Sequence, residues 1–479
     1  MSNLEKKLES RHINMIAIGG SIGTGIFLAS GYSIFIGGPG GAMVAYSLMA
    51  LIVYFLMTSL GEMSTYKPSS GSFCDYSSEY VGKSFGFAMS YNYWINWAIT
   101  IAAEVSAGAL VMGYWFPQVN PVYFSLAIFS LVFLANLFSV QVYGEIEYWL
   151  SFVKVGVIIV FIILGFFTLF HQPQFGTHNW HVGDAPFHQG WFGFISVFLF
   201  AGFSFQGTEL VGVASGETKN PEKSIPKSIS LVFWRLTLFY VLSIGIISLL
   251  LPYNDPLLAE QNSVVASPYT IIFREFAGHY AADAMNFIIL IALVSAANAS
   301  MYSASRILWY MGKDGLTPKV FKGANKYGVP MPALLATAAV GSLVFISSFV
   351  GNGTFFGYIV QISSLCGFIA WFGIAFSHYK FRKNYLPQNG GVDILKYKAK
   401  FYPYAQIISM IVIVFIVAAQ IITMNSHYGV FDFVMIYSSV ILFFAIYFGH
   451  KIYSKIVKSA SISSGILFLN DGYYEEKLS

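Results

Sequence analysis

Three ionisable residues lie inside long apolar stretches of the sequence: Glu104, Lys154 and Glu209. Charges at the depth of a hydrocarbon layer are rare and costly, and by default they are functional. A carboxylate in such a place can bind a cation or take up a proton. A lysine there can exchange a proton or fill the space of a bound sodium ion. These residue types therefore indicate the handling of ions or charged solutes.

Glu104 shares one face of a helix with other polar and aromatic side chains. Residues three or four positions apart lie on the same helical face, and this spacing connects Tyr93, Asn96, Trp97, Thr100 and Glu104. That face is expected to form the wall of a cavity. No basic residue of the first four apolar stretches lies at matching depth. Glu104 is therefore expected either to bind a cationic ligand or to be a protonated acid hydrogen-bonded to a neighbouring helix.

The other ionisable residues each allow more than one interpretation. Lys154 lies in SFVKVGVIIVFI, where it can exchange a proton under a gradient or extend its long side chain to cytoplasmic water. Glu209 can bind a ligand, take up a proton, or cap unwound backbone. Glu217 follows near the cytoplasmic end beside Lys219, which indicates a salt-bridged inner gate of the weak surface type.

Two apolar stretches are interrupted by glycine and polar residues. The first contains GGSIGTGIF at residues 19–27, with four glycines in seven residues. Each glycine disfavours a helix by about 1 kcal/mol relative to alanine. One interpretation is a helix broken at mid-membrane, whose second half points its N-terminus at a bound anion such as a carboxylate. The other interpretation is close packing of helices through small residues.

The second interrupted stretch reads AGFSFQGTEL at residues 201–210. Phe203 and Phe205 flank Ser204 there, and a phenylalanine beside unwound backbone can cover a small bound molecule. If stretches one to five and six to ten are paired repeats, the two interruptions occupy corresponding positions. An odd number of crossings gives the two repeats opposite topologies. Interrupted segments at matching positions of two halves indicate the binding site of a transporter.

The composition indicates an integral membrane protein. Of 479 residues, 56% are hydrophobic and 10% are charged, whereas soluble proteins contain about 25% charged residues. The net charge of +4 is distributed over short loops and does not indicate nucleic-acid binding. Cys74 and Cys366 are too few for a disulfide framework and are expected to be inert. A polar N-terminal segment leads directly into the first apolar stretch, without a visible cleavable signal peptide.

Twelve apolar stretches are long enough to cross a bilayer, at about 20 residues each. They lie near residues 12–35, 41–66, 84–115, 122–140, 148–170, 191–215, 229–252, 280–311, 333–350, 356–379, 403–424 and 431–453. If the N-terminus is inside, all but two of the 26 Lys and Arg residues are cytoplasmic. The exceptions are Arg274, which is outside, and Lys154, which is within a stretch. Such a bias sets orientation, so both termini are expected in the cytoplasm.

The sequence thus predicts an all-α membrane protein with twelve transmembrane helices. The predicted arrangement is a five-plus-five inverted repeat with broken first and sixth helices, plus two extra C-terminal helices. Its divisions are a cytoplasmic tail at 1–11, repeats at 12–170 and 191–382, two further spans at 400–454, and a cytoplasmic tail at 455–479. The predicted outer loop 171–190 contains His171, His178, His181 and His188. A metal cluster is one interpretation of these histidines, and solvated loop side chains are the favoured one.

Several of these segments resemble the amino acid–polyamine–organocation superfamily, and within it the bacterial amino acid transporter family. The resemblance extends from about residue 11 to about residue 453. Its markers are RHINMIAIGGSIGTGIF at 11–27, VYFLMTSLGEM at 53–63, GSFCDYSSEYVGKSFGFAMSYNYWINWAIT at 71–100, GFSFQGTELVGVASGET at 202–218, FWRLTLFY at 233–240 and CGFIAWFGIAFSHYKFR at 366–382. The resemblance implies the inverted-repeat fold described above, working by alternating access.

The resemblance also implies roles for individual residues. First-span backbone amides would hold the carboxylate of an amino acid, here at Ser21, Gly23, Thr24 and Gly25. Sixth-span carbonyls would hold its amino group, here at Ala201, Gly202, Phe203 and Ser204. Phe203 matches an aromatic gate, Glu104 matches the partner of a side-chain ammonium, and Lys154, Glu209 and Glu217 match positions with proton-coupling or structural roles. Candidates for lining the cavity are Tyr93, Asn96, Thr100, Asn298, Ser300 and Tyr302.

Lysine carriers of this family are the most similar in these motifs. The expected function is therefore import of L-lysine across the cytoplasmic membrane by proton symport, with membrane lipids as surroundings. A broader carrier or exchanger of lysine, arginine and ornithine is the alternative. A lysine-sensing receptor is less favoured because both tails are short. An enzyme is not expected, since the carboxylates and loop histidines form no nucleophile–base pair and there is no phosphate-binding loop; neither a cofactor nor a resident metal is expected.

Overall fold

The computed structural model of the protein describes residues 22–69, 71–138, 140–171, 176–213, 221–259, 267–325, 328–423 and 429–463. Within those ranges the regular secondary structure is helical, and no β-strand occurs. The predicted N-terminal tail, the beginning of the predicted first span and residues 464–479 of the predicted C-terminal tail lie outside the described residues.

Spans 1 to 6 follow the predicted order along the chain. Span 1 begins with a π-helical turn, and the helix that continues it also forms span 2. Span 6 consists of two helices separated by residues 206–209. The helices of this half are the π-helices Gly25–Ala29 and Ser77–Val81, and the α-helices Ser30–Tyr66, Ser72–Tyr76, Lys83–Met112 (span 3), Pro121–Ala135 (span 4), Val140–His171 (span 5), Gly190–Phe205 and Leu210–Val213 (span 6).

Spans 7 to 12 complete the bundle. Spans 9 and 12 each contain two consecutive α-helices. The helices are Pro221–Leu250 (span 7), Pro256–Ala259, Pro268–Ala277, His279–Lys313 (span 8), Met331–Gly341 and Ser347–Val350 (span 9), Asn352–Lys380 (span 10), Tyr404–Thr423 (span 11), and Val430–Ile436 and Ser438–Ser463 (span 12). In the described part of the chain, eight helices are long and apolar enough to cross a membrane, and three shorter apolar helices accompany them.

Gly38 divides the helix Ser30–Tyr66 into spans 1 and 2. Its φ of 72° is a left-handed backbone conformation, which glycine adopts readily because it lacks a Cβ atom. The Pro186 carbonyl accepts hydrogen bonds from the backbone N–H groups of Gly40 and Gly41 over 2.9 and 3.3 Å. The outer loop thereby holds the point where the helix changes direction, which coincides with the predicted boundary between the first two stretches.

The contacts between the helices define two groups of spans. The helix Ser30–Tyr66 packs on spans 6 and 7, and span 3 packs on spans 8 and 10. Span 12 instead exposes large apolar side chains such as Phe444, Phe448 and Ile452, as a lipid-facing helix would. The helical fold class is confirmed, while the inverted repeat and the domain divisions stay predictions.

Candidate binding site at the two helix breaks

A small enclosed cavity lies where spans 1, 3 and 6 meet. Its volume is about 20 Å³, which is room for about one water molecule. The residues that line it come from all three spans and include five that the sequence analysis places in the site. They are Gly23, Gly25, Trp97, Thr100, Glu104, Phe203 and Gln206.

The side chain of Glu104 lies at the start of the described helix of span 1. Thr24 Oγ1 donates to Glu104 Oε2 over 2.7 Å, and the Thr24 backbone N–H donates to both carboxylate oxygens over 3.2 and 3.3 Å. The Phe27 N–H already donates to the Gly23 carbonyl, so the Thr24 amide belongs to the first turn, whose N–H groups have no intrahelical acceptor. Such a terminus favours an acidic group. Here that group is Glu104 itself.

Of the interpretation of Glu104 as a protonated acid hydrogen-bonded to a neighbouring helix, these contacts match the hydrogen bonding, and the protonation stays a prediction. Binding of a cationic ligand by Glu104 stays a prediction. Ser21 and residues 19–20 lie outside the described residues, so the described part of the glycine-rich motif begins at Ile22.

Gly23 and Gly25 allow span 1 to approach its neighbours very closely. A Cβ atom on Gly23 would lie 2.7 Å from Glu104 Oε1 and 2.9 Å from the Ala296 Cβ. A Cβ atom on Gly25 would lie 2.5 Å from the Ser204 Cα. The close packing through small residues that the sequence analysis offers as an alternative is therefore present at these two positions, together with the helix terminus at Thr24.

Replacing Gly25 with alanine is expected to force spans 1 and 6 apart and to lower the free energy of unfolding by about 1–3 kcal/mol, the usual cost of overpacking. The control is Gly156→Ala in span 5, where a Cβ would meet nothing within 4 Å and where alanine favours the helix. Thermal melting of the purified protein in detergent measures both effects. Equal melting temperatures for the two variants would contradict the predicted steric conflict.

Span 6 is interrupted a few residues later than its predicted centre. The helix ends at Phe205, Gln206 has an extended backbone with ψ of 148°, and Gly207 has a φ of 93°. Ala201–Ser204 therefore belong to the last turns of the helix, and Phe203 O accepts a hydrogen bond from the Gln206 N–H over 3.2 Å. Carbonyls at a helix end lack the amides that would continue the helix. Binding of an amino group by them stays a prediction.

Glu209 holds the unwound backbone of span 6. Its carboxylate accepts from the Gly207 N–H over 3.2 and 3.3 Å and from Trp371 Nε1 over 3.4 Å, and it is 1% exposed. Of the three interpretations of Glu209, these contacts match the capping one. Glu217 and Lys219, the predicted inner gate, lie outside the described residues.

Gln206 is a residue of the site that the sequence analysis does not single out. It accepts from Asn96 Nδ2 over 3.2 Å and donates to the Ser363 carbonyl over 2.9 Å. Ser363 Oγ donates to Asn96 Oδ1 over 2.9 Å and contacts Thr100 Oγ1 over 3.1 Å. This network joins spans 3, 6 and 10 beside the cavity. The sequence signal that points to Gln206 is a glutamine directly before a glycine inside an apolar segment.

The next features are the predicted gate, Phe203, and the aromatic face of span 3. Phe203 lines the cavity, and the neighbouring Ser204 Oγ lies 3.0 Å from the Tyr46 hydroxyl of span 2. Tyr93 is buried and packs edge-to-face on Trp97, with 6.0 Å between ring centroids. The predicted face of span 3 is thus buried as expected, and the gating role of Phe203 stays a prediction.

Lys154 is fully buried and lies close to Glu147 of the same span. Lys154 Nζ is 3.6 Å from Glu147 Oε1, and both side chains are 0% exposed. Ser295 Oγ of span 8 contacts both Glu147 oxygens over 2.8 Å. The interpretation of Lys154 as a side chain that reaches cytoplasmic water is therefore wrong. The sequence analysis overlooks Glu147, although its spacing of seven residues places it on the same helical face as Lys154.

The weaker candidates of span 8 have partners of their own. Asn298 Oδ1 accepts from Asn136 Nδ2 of span 4 over 2.8 Å. Ser300 Oγ donates to the Ala296 carbonyl of its own helix over 2.8 Å, and the Arg306 guanidinium lies 3.8 Å above the Tyr302 ring. None of the three is among the residues that line the described cavity, and their participation in the site stays a prediction.

The histidines of the predicted outer loop differ in their exposure and contacts. His178 and His181 are exposed, and His188 Nδ1 lies 2.6 Å from Asp184 Oδ1. Hydrogen bonds from Tyr253 and His188 lower the pKa of the Asp184 carboxyl to about 2. Among the described residues, no group of three or more His, Cys, Asp or Glu side chains could hold a metal ion.

A second buried charged cluster lies near the C-terminal end of span 2 and is also absent from the sequence analysis. Glu62 accepts from Arg382 Nε and Nη2, each over 2.6 Å, and from the Ala399 N–H over 2.5 Å. His378 Nε2 lies 3.0 Å from Glu62 Oε1, the oxygen that also accepts from Arg382 Nε. One carboxylate thereby connects span 2 with span 10 and with the segment that follows span 10.

Comparisons with known proteins identify the family of the chain. The model of the amino acid permease family matches residues 12–461. The chain is 45% identical over 464 residues to the lysine-specific permease LysP of Lactococcus lactis, covering 95% of this chain and 91% of that protein. It is 44% identical over 464 residues to the lysine-specific permease LysP of Escherichia coli, covering 94% of each.

Another relative is named for a different amino acid. The histidine permease HisP of Lactococcus lactis is 41% identical over 457 residues, which cover 94% of this chain and 95% of that protein. These relatives are permeases and not enzymes, and they match nearly the whole chain. Because the family model matches residues 12–461 and these relatives are 41–45% identical over nearly the whole chain, the chain belongs to the amino acid permease family.

Proposed function

We propose that the protein imports L-lysine by proton-coupled symport with alternating access. The observation that carries the proposal is the buried carboxylate of Glu104 beside the first turn of span 1 and beside Phe203, in a chain 44% identical to the lysine-specific permease of Escherichia coli. A cavity that presents helix-terminal amides, helix-terminal carbonyls and one acid offers partners for the carboxylate, the amino group and the side-chain ammonium of lysine.

Each part of lysine has a proposed partner. The backbone amides of Ser21, Gly23, Thr24 and Gly25 hold its carboxylate, and the carbonyls of residues 201–204 hold its amino group. Glu104 binds the side-chain ammonium. Phe203 closes the outer side after binding, and release follows on the inner side.

Proton coupling is assigned to the buried lysine of span 5. Lys154 and Glu147 form a pair that is shielded from water, where transfer of one proton changes the charge balance of the bundle. Glu209 holds the break of span 6, and Glu217 is proposed as a second acid on the inner side. The membrane potential assists, because it contributes about 2.3 kcal/mol per charge per 100 mV to the entry of a cation.

The proposed location is the cytoplasmic membrane, with both termini inside and lipids around the bundle. The support is the distribution of Lys and Arg, which are concentrated at one set of loop ends as the positive-inside rule requires.

Uptake by proteoliposomes tests the proposed function. Radiolabelled lysine is offered while a proton gradient, a sodium gradient or a membrane potential is imposed separately. Accumulation is expected with the proton gradient and with the potential, and a sodium gradient alone is expected to have no effect. Accumulation that requires sodium would contradict proton symport, and absence of lysine uptake under every gradient would contradict the substrate.

A broader carrier of cationic amino acids is the second candidate, and the 41% identity to a histidine permease favours it. Competition of lysine uptake by arginine, ornithine and histidine separates the two. Lysine specificity predicts little inhibition at a hundredfold excess of each competitor, whereas strong inhibition by any of them would support the broader carrier.

A further inference from the structure

We propose that Glu104 is an internal occupant of the carboxylate site, and that an amino acid enters only by exchanging partners with it. This inference rests on the proposed function. The incoming carboxylate takes the Thr24 backbone amide, and the displaced Glu104 leaves the Thr24 hydroxyl and takes the side-chain ammonium of the same molecule. Selection for a cationic side chain then arises from the displacement itself.

The first step of the argument is that the donors of Thr24 are already used. Both its hydroxyl and its backbone N–H donate to the Glu104 carboxylate, over 2.7 Å and 3.2–3.3 Å. They are at the first turn of the helix, where a carboxylate is favoured. Two carboxylates that compete for one backbone amide also repel each other. A substrate carboxylate therefore displaces Glu104 from Thr24.

The second step concerns space. Glu104 Oε1 lies only 2.7 Å from the point where a Cβ of Gly23 would be, so the carboxylate is pressed against the backbone of span 1. The cavity beside it has a volume of about 20 Å³, which accommodates about one water molecule. An amino acid can reach the amides of span 1 only after Glu104 has moved out of the way.

The third step concerns what Glu104 binds afterwards. A buried carboxylate that loses its donors is unfavourable unless another partner replaces them. Lys154 is a buried basic residue whose positive charge acts on the Glu104 carboxylate. Its Nζ atom already lies 3.6 Å from Glu147 Oε1. The ammonium of a bound lysine provides the new partner, whereas an uncharged amino acid of the same length provides none. Glu104 therefore excludes neutral amino acids by holding the site until a cation releases it.

The experiment measures binding of three probes to the purified full-length protein by isothermal titration calorimetry in detergent. The probes are lysine, norleucine, which has the same main chain without the ammonium, and 1,5-diaminopentane, which has both amines without the carboxylate. The unaltered protein is expected to bind lysine alone. Glu104→Gln is expected to bind norleucine and to lose its preference for lysine, because a neutral amide is displaced without leaving a buried charge.

A second variant tests the exchange when Glu104 itself is unchanged. Thr24→Val removes the hydroxyl that holds Glu104 but keeps the backbone amide, and it is expected to increase the affinity for norleucine about tenfold, as loss of one charge-assisted hydrogen bond predicts. The matched control is Thr58→Val in span 2, which removes a hydroxyl that donates to the Tyr54 and Phe55 carbonyls of its own helix and is expected to leave the binding profile unchanged.

The outcomes distinguish the exchange from the proposed function. If the unaltered protein binds lysine but neither Glu104→Gln nor Thr24→Val gains norleucine binding, the exchange is wrong and lysine transport stands. If the unaltered protein does not bind lysine, the proposed function and the exchange are both wrong. Binding of 1,5-diaminopentane as tightly as lysine would also overturn the exchange, because that probe has no carboxylate to displace Glu104.

Discussion

Replacing Glu62 with glutamine is expected to lower the free energy of unfolding by about 3–5 kcal/mol, the usual cost of breaking a buried ion pair from one side. The carboxylate is 0% exposed, and its partner Arg382 is 8% exposed. Two guanidinium donors at 2.6 Å and the Ala399 N–H at 2.5 Å converge on it. The variant leaves a buried guanidinium without a counter-charge, so span 2, span 10 and the segment after span 10 lose their common partner.

The matched control is Glu79→Gln, which removes a carboxylate from an ion pair near the surface. Lys67 Nζ lies 2.8 Å from Glu79, and the lysine side chain is 54% exposed. Pairs of that kind contribute about 0–1 kcal/mol. Thermal melting in detergent, combined with the yield of folded protein, is expected to separate the two variants clearly. Similar melting temperatures for Glu62→Gln and Glu79→Gln would show that the buried cluster does not stabilise the fold.

Much of the fold is predictable from the sequence because its signals are local. Apolar length alone identifies the crossings, and the glycine and proline residues at 37–41 place the boundary between spans 1 and 2 where Gly38 turns the backbone. The interruption of span 6 is also predicted, within residues 201–210, and in the structure it lies at residues 206–209. Glycine marks the interruption, but the carboxylate of Glu209, which binds the Gly207 amide, determines which residues leave the helix.

The pairing of buried charges is not predictable from local patterns. Glu62 and Arg382 are separated by 320 positions, and Thr24 and Glu104 by 80 positions. Which donor meets which carboxylate depends on how spans pack, and a single sequence contains no periodic signal for it. For the same reason, the group that lies at the start of span 1 could not be identified from local patterns. The glycine-rich motif indicates an anion there, but only the tertiary contact between span 3 and span 1 brings the side chain of Glu104 to it.

Replacing Lys154 with methionine is expected to abolish uptake driven by an imposed proton gradient, with at least a tenfold loss of initial rate. It is also expected to lower the free energy of unfolding by about 3–5 kcal/mol. Glu147 remains buried, and among the described residues Ser295 and Ser151 still donate to it. Loss of transport in this single variant therefore has two sources, an altered charge balance and a damaged structure.

The double variant Lys154→Met with Glu147→Gln separates these two sources. It removes both charges while keeping side chains of similar volume, so the melting temperature is expected to return to within a few degrees of that of the unaltered protein. Lysine counterflow, which needs no net driving force, is expected to recover with the structure. Accumulation under the proton gradient is expected to stay absent, because the buried pair that exchanges the proton is missing. A folded double variant that still accumulates lysine under a proton gradient would show that coupling resides elsewhere in the bundle.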